Sequence, residues 1–593
     1  MQLLKTLSGK VVLLLFVVFA VVFSSKITEV VKDENTCICS YDGFGYYAYL
    51  PYLFENQSLA ISKEWMQEKQ NEHCNGTVAY QVIQHENGAD INIYHMGLAF
   101  VELPSYLIGD LFARVLGYPT DGFSKPYHIA YLLNALLFIF LGLLYLRKLL
   151  LLFFTDRITA ITTLVLFITS NIYITFNYQF ELQHVFLFAF NATFLYHIIV
   201  FTRTEQKKNL WIAAIILGLT VCMRPTQVLM GLIPLILFIK KFGISKVFWK
   251  HILIFPLLGI LWNIPQILYW YIVGGEPFIL NLHSEEIILV DPHISDFLFS
   301  YKKGWLLYSP IFLITIIGFI YLYTKERSLF WASLAFSVVY IYIMSSWECW
   351  WYAASYGSRV MVDIYPLLAI AIGGALMSLG NSTIKKIIGG LFIVACALLN
   401  TLQQYQFKVG YLHYDRMTEQ HYWYIFGRLN IPDYTGQHLE IDRNPSEIGW
   451  VENAPNLPKE DYSLETKEIY SLEESLVAKI GEEYLTIGRL NILELVPTDE
   501  TMFDVTIVTK SSDTTKAGTL RMEIVSPYNC YTWRTLEISQ DAAQGEYVTH
   551  IYKFNLERLR HHDDQMQIYI HKDLDVEIEV KSMTIEATSL VRK

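Results

Sequence analysis

The chain has 593 residues, 53% of them hydrophobic and 15% aromatic, with a mean hydropathy of +0.32 and a formal net charge of −11. The apolar residues come in long runs, many reaching the roughly 20 residues that a hydrocarbon core requires, so a soluble globular protein is excluded. The acidic balance, with no basic stripe of interleaved aromatics, argues against nucleic acid as a partner.

Lys5 and Lys10 precede an apolar run over 11–23. No small-residue cleavage site follows, so this run is expected to be an uncleaved first transmembrane helix with a cytoplasmic N-terminus. Residues 24–125 form a large external loop with amphipathic pieces. Near its start, 41–51 reads Tyr-Asp-Gly-Phe-Gly-Tyr-Tyr-Ala-Tyr-Leu-Pro, with one carboxylate, Asp42, and no further charge until Glu55. Beside aromatic surface a carboxylate is only partly solvated, which predicts a raised pKa and a role as a base. The competing reading is that Asp42 N-caps a short helix running to Pro51. Cys37, Cys39 and Cys74 share the loop, where a bridge from Cys74 to Cys37 or Cys39 is permitted. No Cys-x-x-Cys pair suggests zinc. The segment 94–114 carries charges among apolar residues and is expected to lie along the membrane surface.

Further spans are expected near 127–146, 158–176, 182–201, 210–223, 225–239, 251–273, 305–324, 328–346, 360–379 and 387–403, about eleven with the first. Arg147, Lys148, Arg203, Lys207, Lys208, Lys240, Lys241, Lys246, Lys325, Arg327, Lys385 and Lys386 then all fall on one side, which marks the cytoplasm. Asp42 and the C-terminal region fall on the other. Residues 404–485 read as a polar, aromatic-rich linker. After them 502–509, 519–526, 546–554, 566–571 and 576–587 alternate apolar and polar residues, the pattern of an antiparallel sheet domain, a β-sandwich. The expected fold class is therefore a polytopic α-helical membrane protein (1–403) with a C-terminal all-β external domain (486–593).

Charges at membrane depth are costly, at least about 2.5–3.5 kcal/mol each on insertion scales, which makes such residues functional candidates. Arg224, between two apolar runs in Cys-Met-Arg-Pro-Thr, is either an interfacial cation or one that faces a cavity and binds phosphate. Lys302 and Lys303 run against the charge bias beside Gly304, which lets backbone approach a ligand; the alternative is a snorkelling pair in an aromatic belt. Arg359 and Asp363, four apart at the start of a span, either form a structural ion pair across one turn or serve a substrate. Trp347 and Trp351, with Trp350 and Tyr352, suit a belt or a platform for a sugar ring. Glu181 and His184 share a face at i and i+3. A divalent metal there would need further ligands, which the sequence does not identify, so no cofactor is assigned. His95, Glu285, Glu286, Asp291 and His293 are further external candidates.

Together, Asp-Gly-Phe-Gly-Tyr-Tyr after the first span, Tyr-His-Met-Gly-Leu-Ala-Phe-Val-Glu-Leu-Pro, Arg-Pro-Thr, Lys-Gly-Trp-Leu-Leu-Tyr-Ser-Pro and Trp-Trp-Tyr-Ala-Ala-Ser-Tyr-Gly-Ser-Arg resemble the GT-C integral-membrane glycosyltransferases. The resemblance is to the branch of protein O-mannosyltransferases and the lipid A aminoarabinose transferase, and covers about residues 1–400. The chain departs from that pattern at Asp42-Gly43, where many relatives carry Asp-Glu. The resemblance implies a polyprenyl-phosphate sugar as donor, a lipid, glycan or protein acceptor, and direct inverting displacement on the periplasmic face of a bacterial inner membrane. It implies Asp42 as general base. It also implies Arg224, Lys302, Lys303 or Arg359 on the leaving phosphate; Tyr46, His95, Glu181, His184, Trp347 and Trp351 are the residues expected around sugar or acceptor. Two competitors are a flippase for a lipid-linked saccharide and a non-catalytic glycan-assembly protein. No repeat between halves supports the first.

Overall fold

A computed structural model describes residues 3–32, 39–74, 79–85, 87–279, 287–430, 462–472, 474–482, 484–496, 501–511, 518–525, 530–538, 546–555, 565–572 and 577–592. Cys37, Glu285 and Glu286 lie outside the described residues. The chain divides into two compact units, Met1–Asp415 and Arg416–Lys593.

The first unit is helical. The first helix, Leu7–Lys32, buries Val12, Leu15, Phe19 and Phe23 along one stripe. This stripe packs on the next long helix and the bent one after it, Phe16 lying 4.7 Å from Phe140 and Phe19 5.8 Å from Phe176, centroid to centroid. Its first turn is capped from a distance, since the Asp156 carboxylate accepts from the Leu7 N–H at 2.7 Å.

Among the described residues eight helices are long and apolar enough to cross a membrane: Leu7–Lys32, Lys125–Leu150, His184–Thr204, Pro225–Phe242, Lys246–Gly274, Arg327–Ser345, Arg359–Ser378 and Thr383–Lys408. A ninth is made if Asp156–Ile168 and Ile172–Tyr178, bent by 61°, count as one span. By that measure eight or nine helices stand against the expected number of about eleven spans. Lys207–Met223 reaches only 17 residues before Arg224-Pro225, and Pro310–Lys325 is likewise short. Both are bounded by a proline, which forces the residue before it out of the helical region. Arg224 has φ −149° and ψ 111°. Arg359–Ser378 is 89% buried, so the other helices surround it.

The large loop folds into helices Tyr41–Tyr47, Tyr49–Asn56, Lys63–His73 and Gly97–Leu116, with a two-stranded antiparallel ribbon, β1 (Val82–Gln84) and β2 (Asp90–Asn92). Gly97–Leu116 exposes Leu107, Ile108, Leu111, Phe112, Val115 and Leu116 on one face and buries Leu98, Val101, Glu102 and Tyr106 on the other. Cys74 is disulfide-bonded, whereas Cys39 is a buried thiol, so the Cys39–Cys74 alternative is overturned.

The second unit begins with a short helix, Glu419–Ile425, and continues as strands β3 (Tyr462–Ser471), β4 (Leu476–Ala478), β5 (Tyr484–Asn491), β6 (Thr501–Ser511), β7 (Gly518–Val525), β8 (Cys530–Ile538), β9 (Val548–Asn555), β10 (Gln565–Lys572) and β11 (Ile578–Arg592). The segment read as a linker therefore holds helix up to Lys408 at one end and two strands with the start of a third at the other. Two antiparallel sheets form, β5-β10-β7-β8 and β3-β11-β6-β9, with β4 also on β11. Phe503, Val505 and Ile507 from β6 share one core with Leu520, Ile568 and Ile570 of the other sheet. That shared core makes the unit a sandwich.

Candidate active site

Asp42 lies in the first turn of Tyr41–Tyr47. It does not cap that helix: the N-cap is Ser40, and no side chain bonds there. Instead Asp42 Oδ1 accepts from the Tyr80 and Tyr94 hydroxyls, both at 2.7 Å, and Oδ2 accepts from Arg359 Nη2 at 3.1 Å. The β1–β2 ribbon supplies both tyrosines. Carrying the register Val82–Asn92 outward by two residues sets Tyr80 opposite Tyr94. Tyr41 holds a left-handed φ of +48°, strained for a residue with a Cβ, and Gln81 Nε2 fixes its carbonyl at 2.9 Å.

The expected rise in the Asp42 pKa is reversed. Burial pushes it up, but the Arg359 guanidinium and the two tyrosine hydroxyls outweigh burial and hold the carboxyl below its usual range. Asp42 is thus an ionised carboxylate with 28% of its side chain exposed.

A second cluster stands on the neighbouring helices. Asp363 is fully buried, with Oδ1 2.7 Å from His184 Nδ1 and Oδ2 3.0 Å from Arg224 Nη1. Asn191 Nδ2 fixes the Asp363 carbonyl at 2.8 Å. Of the two readings of Arg359 and Asp363, the ion pair across one turn is therefore absent. Arg359–Ile364 is a 3-10 helix, in which residues four apart do not eclipse, and the two side chains diverge to Asp42 and to Arg224. Arg359 is positioned by its loop: Asn171 Nδ2 donates to the Ser358 carbonyl at 3.1 Å, and the Tyr340 hydroxyl to the Val360 carbonyl at 2.8 Å.

Tyr46 joins the two clusters. Its ring meets Tyr94 edge-on at 4.7 Å, and Asp42, Arg224, Arg359 and Asp363 all act on its hydroxyl. Burial, with Asp42, raises its pKa. Arg224 also lies over the Tyr352 ring at 5.6 Å, and Trp347 packs on Tyr352 at 4.7 Å.

Glu181 and His184 take different neighbours, contrary to the shared face expected of them. Glu181 precedes the helix His184–Thr204, in a turn where helical spacing does not hold, and lies against Gly43. Among the described residues no group of three or more His, Cys, Asp or Glu could hold a metal ion. The lysines are engaged elsewhere: Lys302 Nζ lies 4.1 Å above the Trp351 ring, and Lys303 Nζ donates to the carbonyls of Ser355 and Tyr414. The His95 ring sits edge-on to Trp270 at 5.5 Å. His293 packs near Trp350 at 6.2 Å and pairs with Asp296 at 3.7 Å, while Asp291 is exposed. Reading the sequence residue by residue missed Tyr80 and Tyr94. The Asn87-Gly88 turn between short β-branched runs is the signal that locates them.

No family model and no curated protein matches the chain. Among solved structures it is similar to the crystal structure of the Archaeoglobus fulgidus oligosaccharyltransferase in the apo form. The identity is 13% and the TM-score 0.38, over 71% of this chain and 58% of that one. The chain thus spans less than two thirds of that protein's length, and a likeness this distant carries no weight for activity.

Proposed function

We propose that the protein is a membrane glycosyltransferase that moves a sugar from a polyprenyl-phosphate donor to an acceptor on the external face, with inversion at the anomeric carbon. One observation carries this reading: an ionised carboxylate, Asp42, bound to one guanidinium, with a second guanidinium, Arg224, acting on the same Tyr46 hydroxyl. The acceptor oxygen bonds to the anomeric carbon as the bond from that carbon to the phosphate oxygen breaks, and the electron pair leaves with the lipid phosphate. Asp42 receives the acceptor's proton as general base. Arg359 and Arg224 face the charge that develops on the phosphate. Arg224 is suited to this because only Nη1 is committed to Asp363, while Nη2 points at Met344 Sδ, 3.9 Å away and a weak acceptor. Tyr46, on whose hydroxyl both guanidiniums act, His184 on Asp363, and Trp347, packed on the Tyr352 ring beneath Arg224, are the side chains next to this position.

The test is turnover of undecaprenyl-phosphate sugars by the purified full-length protein, read as release of undecaprenyl phosphate with and without acceptor. Acceptor-dependent release that disappears in Asp42→Asn is the expected result. Movement of donor across a liposome bilayer without release would overturn it in favour of a transporter.

A further inference from the structure

Asp42 is badly placed to keep a proton. Both its oxygens are occupied by three donors, and protonation would leave the Arg359 guanidinium without its counter-charge. A base that must turn over therefore needs a place to send the proton on.

Glu181 occupies that place. A Cβ at Gly43 would stand 2.6 Å from Glu181 Cγ and 3.0 Å from its Cβ, so the glutamate side chain lies directly on the backbone of the residue after Asp42. The turn that carries Glu181 is fixed from outside: the Tyr131 hydroxyl donates to the Glu181 carbonyl at 3.2 Å, and Gln179 Nε2 to the Ala354 carbonyl at 2.6 Å. We infer that Glu181 is the proton-accepting partner of Asp42: it takes over the proton that Asp42 receives from the acceptor hydroxyl and returns Asp42 to its ionised form. The inference rests on the transferase reading above. In this step the proton leaves the Asp42 carboxyl for the Glu181 carboxylate, and from there it passes to solvent, since Glu181 is partly exposed.

The charged and titratable groups that act on Glu181 or on which it acts are Lys26, Cys39, Asp42, Tyr131 and Arg359, with Glu102 behind Cys39 and Tyr131. Burial pushes the Glu181 carboxyl up to about 7, with the nearby Lys26 acting against burial and Asp42 reinforcing it. Burial also raises Cys39 and Glu102 well above their usual values. Two adjacent carboxyls with pKa values driven in opposite directions are the arrangement that divides acid and base work.

As a positioning residue acting through Asp42, Glu181 is tested by kcat and KM against pH in the donor-release assay, for wild type, Glu181→Gln, Glu181→Asp and Asp42→Asn. Wild-type kcat is expected to rise with pH through about 7 as Glu181 empties. Glu181→Gln is expected to lower kcat on the order of 10- to 100-fold, short of the full general-base effect, with KM unchanged and the limb near neutrality gone. Glu181→Asp restores part of kcat with a displaced limb, and serves as the variant of record if the glutamine form does not fold. Wild-type kcat with an unchanged limb in either variant overturns the inference. If Asp42→Asn is inactive in that case, the transferase reading stands without it. An active Asp42→Asn removes both.

Discussion

Arg359 and Asp42 stand 317 positions apart in sequence and 3.1 Å apart in space. The contact ties the loop that follows the first span to the 3-10 turn that opens the most buried span, so the site exists only when both are in place. Because Arg359 is committed to Asp42, Asp363 four residues later is left to hold Arg224 and His184.

Replacing Asp42 by Asn keeps the volume and an acceptor for the tyrosines, but removes the charge opposite Arg359. Turnover is expected to fall by about 10²–10⁴-fold. Thermal unfolding in detergent should report a smaller loss, about 1–3 kcal/mol. An inactive variant with near-native stability separates chemistry from folding.

The Asp363–Arg224 pair is buried, and removing one partner strands a charge. Asp363→Leu alone and Arg224→Met alone are each expected to cost about 3–5 kcal/mol, whereas the double variant should cost clearly less than their sum. The coupling is read from a thermal double-mutant cycle. Additive losses would mean that the pair contributes no stability of its own.

Gly45→Ala would normally favour a helix by about 1 kcal/mol. Here the new Cβ would stand 2.2 Å from Tyr94 Cδ2. The Tyr94 ring cannot yield cheaply, because its hydroxyl is bound to Asp42 and its carbonyl to the Tyr49 hydroxyl at 2.6 Å. Sterics should win: a loss of about 1–3 kcal/mol in melting experiments, together with reduced turnover.

Glu181 also shapes stability against pH. Its carboxyl titrates at 4.5 when unperturbed and at about 7 in the folded chain, so between those values the native state binds more protons than the unfolded one. Stability should therefore decline as pH rises from about 4.5 to 7, and Glu181→Gln should flatten that decline. Asp42 acts in the opposite sense and lower down: its contribution is complete above the ordinary carboxylate range and is lost as pH falls through its depressed value. Melting temperature against pH for wild type and Glu181→Gln reads the difference.

Apolar runs, the bias of positive charges and the period-2 strands made a helical membrane unit followed by a β-unit legible from sequence. The run over 11–23 and the alternation at 502–509 needed no tertiary information. Asp42, Arg224 and Arg359 were legible too, since an isolated charge among aromatic and apolar residues is conspicuous. Their partners were not. Whether Arg359 turns to Asp363 or to Asp42 depends on a 3-10 turn, whose hydrogen bonds leave no periodic mark over six residues. The direction of the Asp42 pKa shift depended first on Arg359, and then on two tyrosines flanking a ribbon of three residues per strand, too short for its alternation to stand out. Pro225 and Pro310 were visible, but whether a proline kinks a span or divides it is decided by packing.

The 61° bend between Ile168 and Ile172 has a consequence for synthesis. It opens the backbone within a candidate span, and carbonyls left bare toward lipid would cost several kcal/mol each. The carbonyls of Ile168 and Ser170 are satisfied by Asn400 Nδ2, both at 3.1 Å, from a residue 230 positions downstream of Ser170. At ribosomal speeds of about 5–20 residues per second, the broken span waits roughly 10–50 s for its partner. During that interval the nascent protein carries an unsealed polar notch inside the bilayer, and the arrival of the last span closes it.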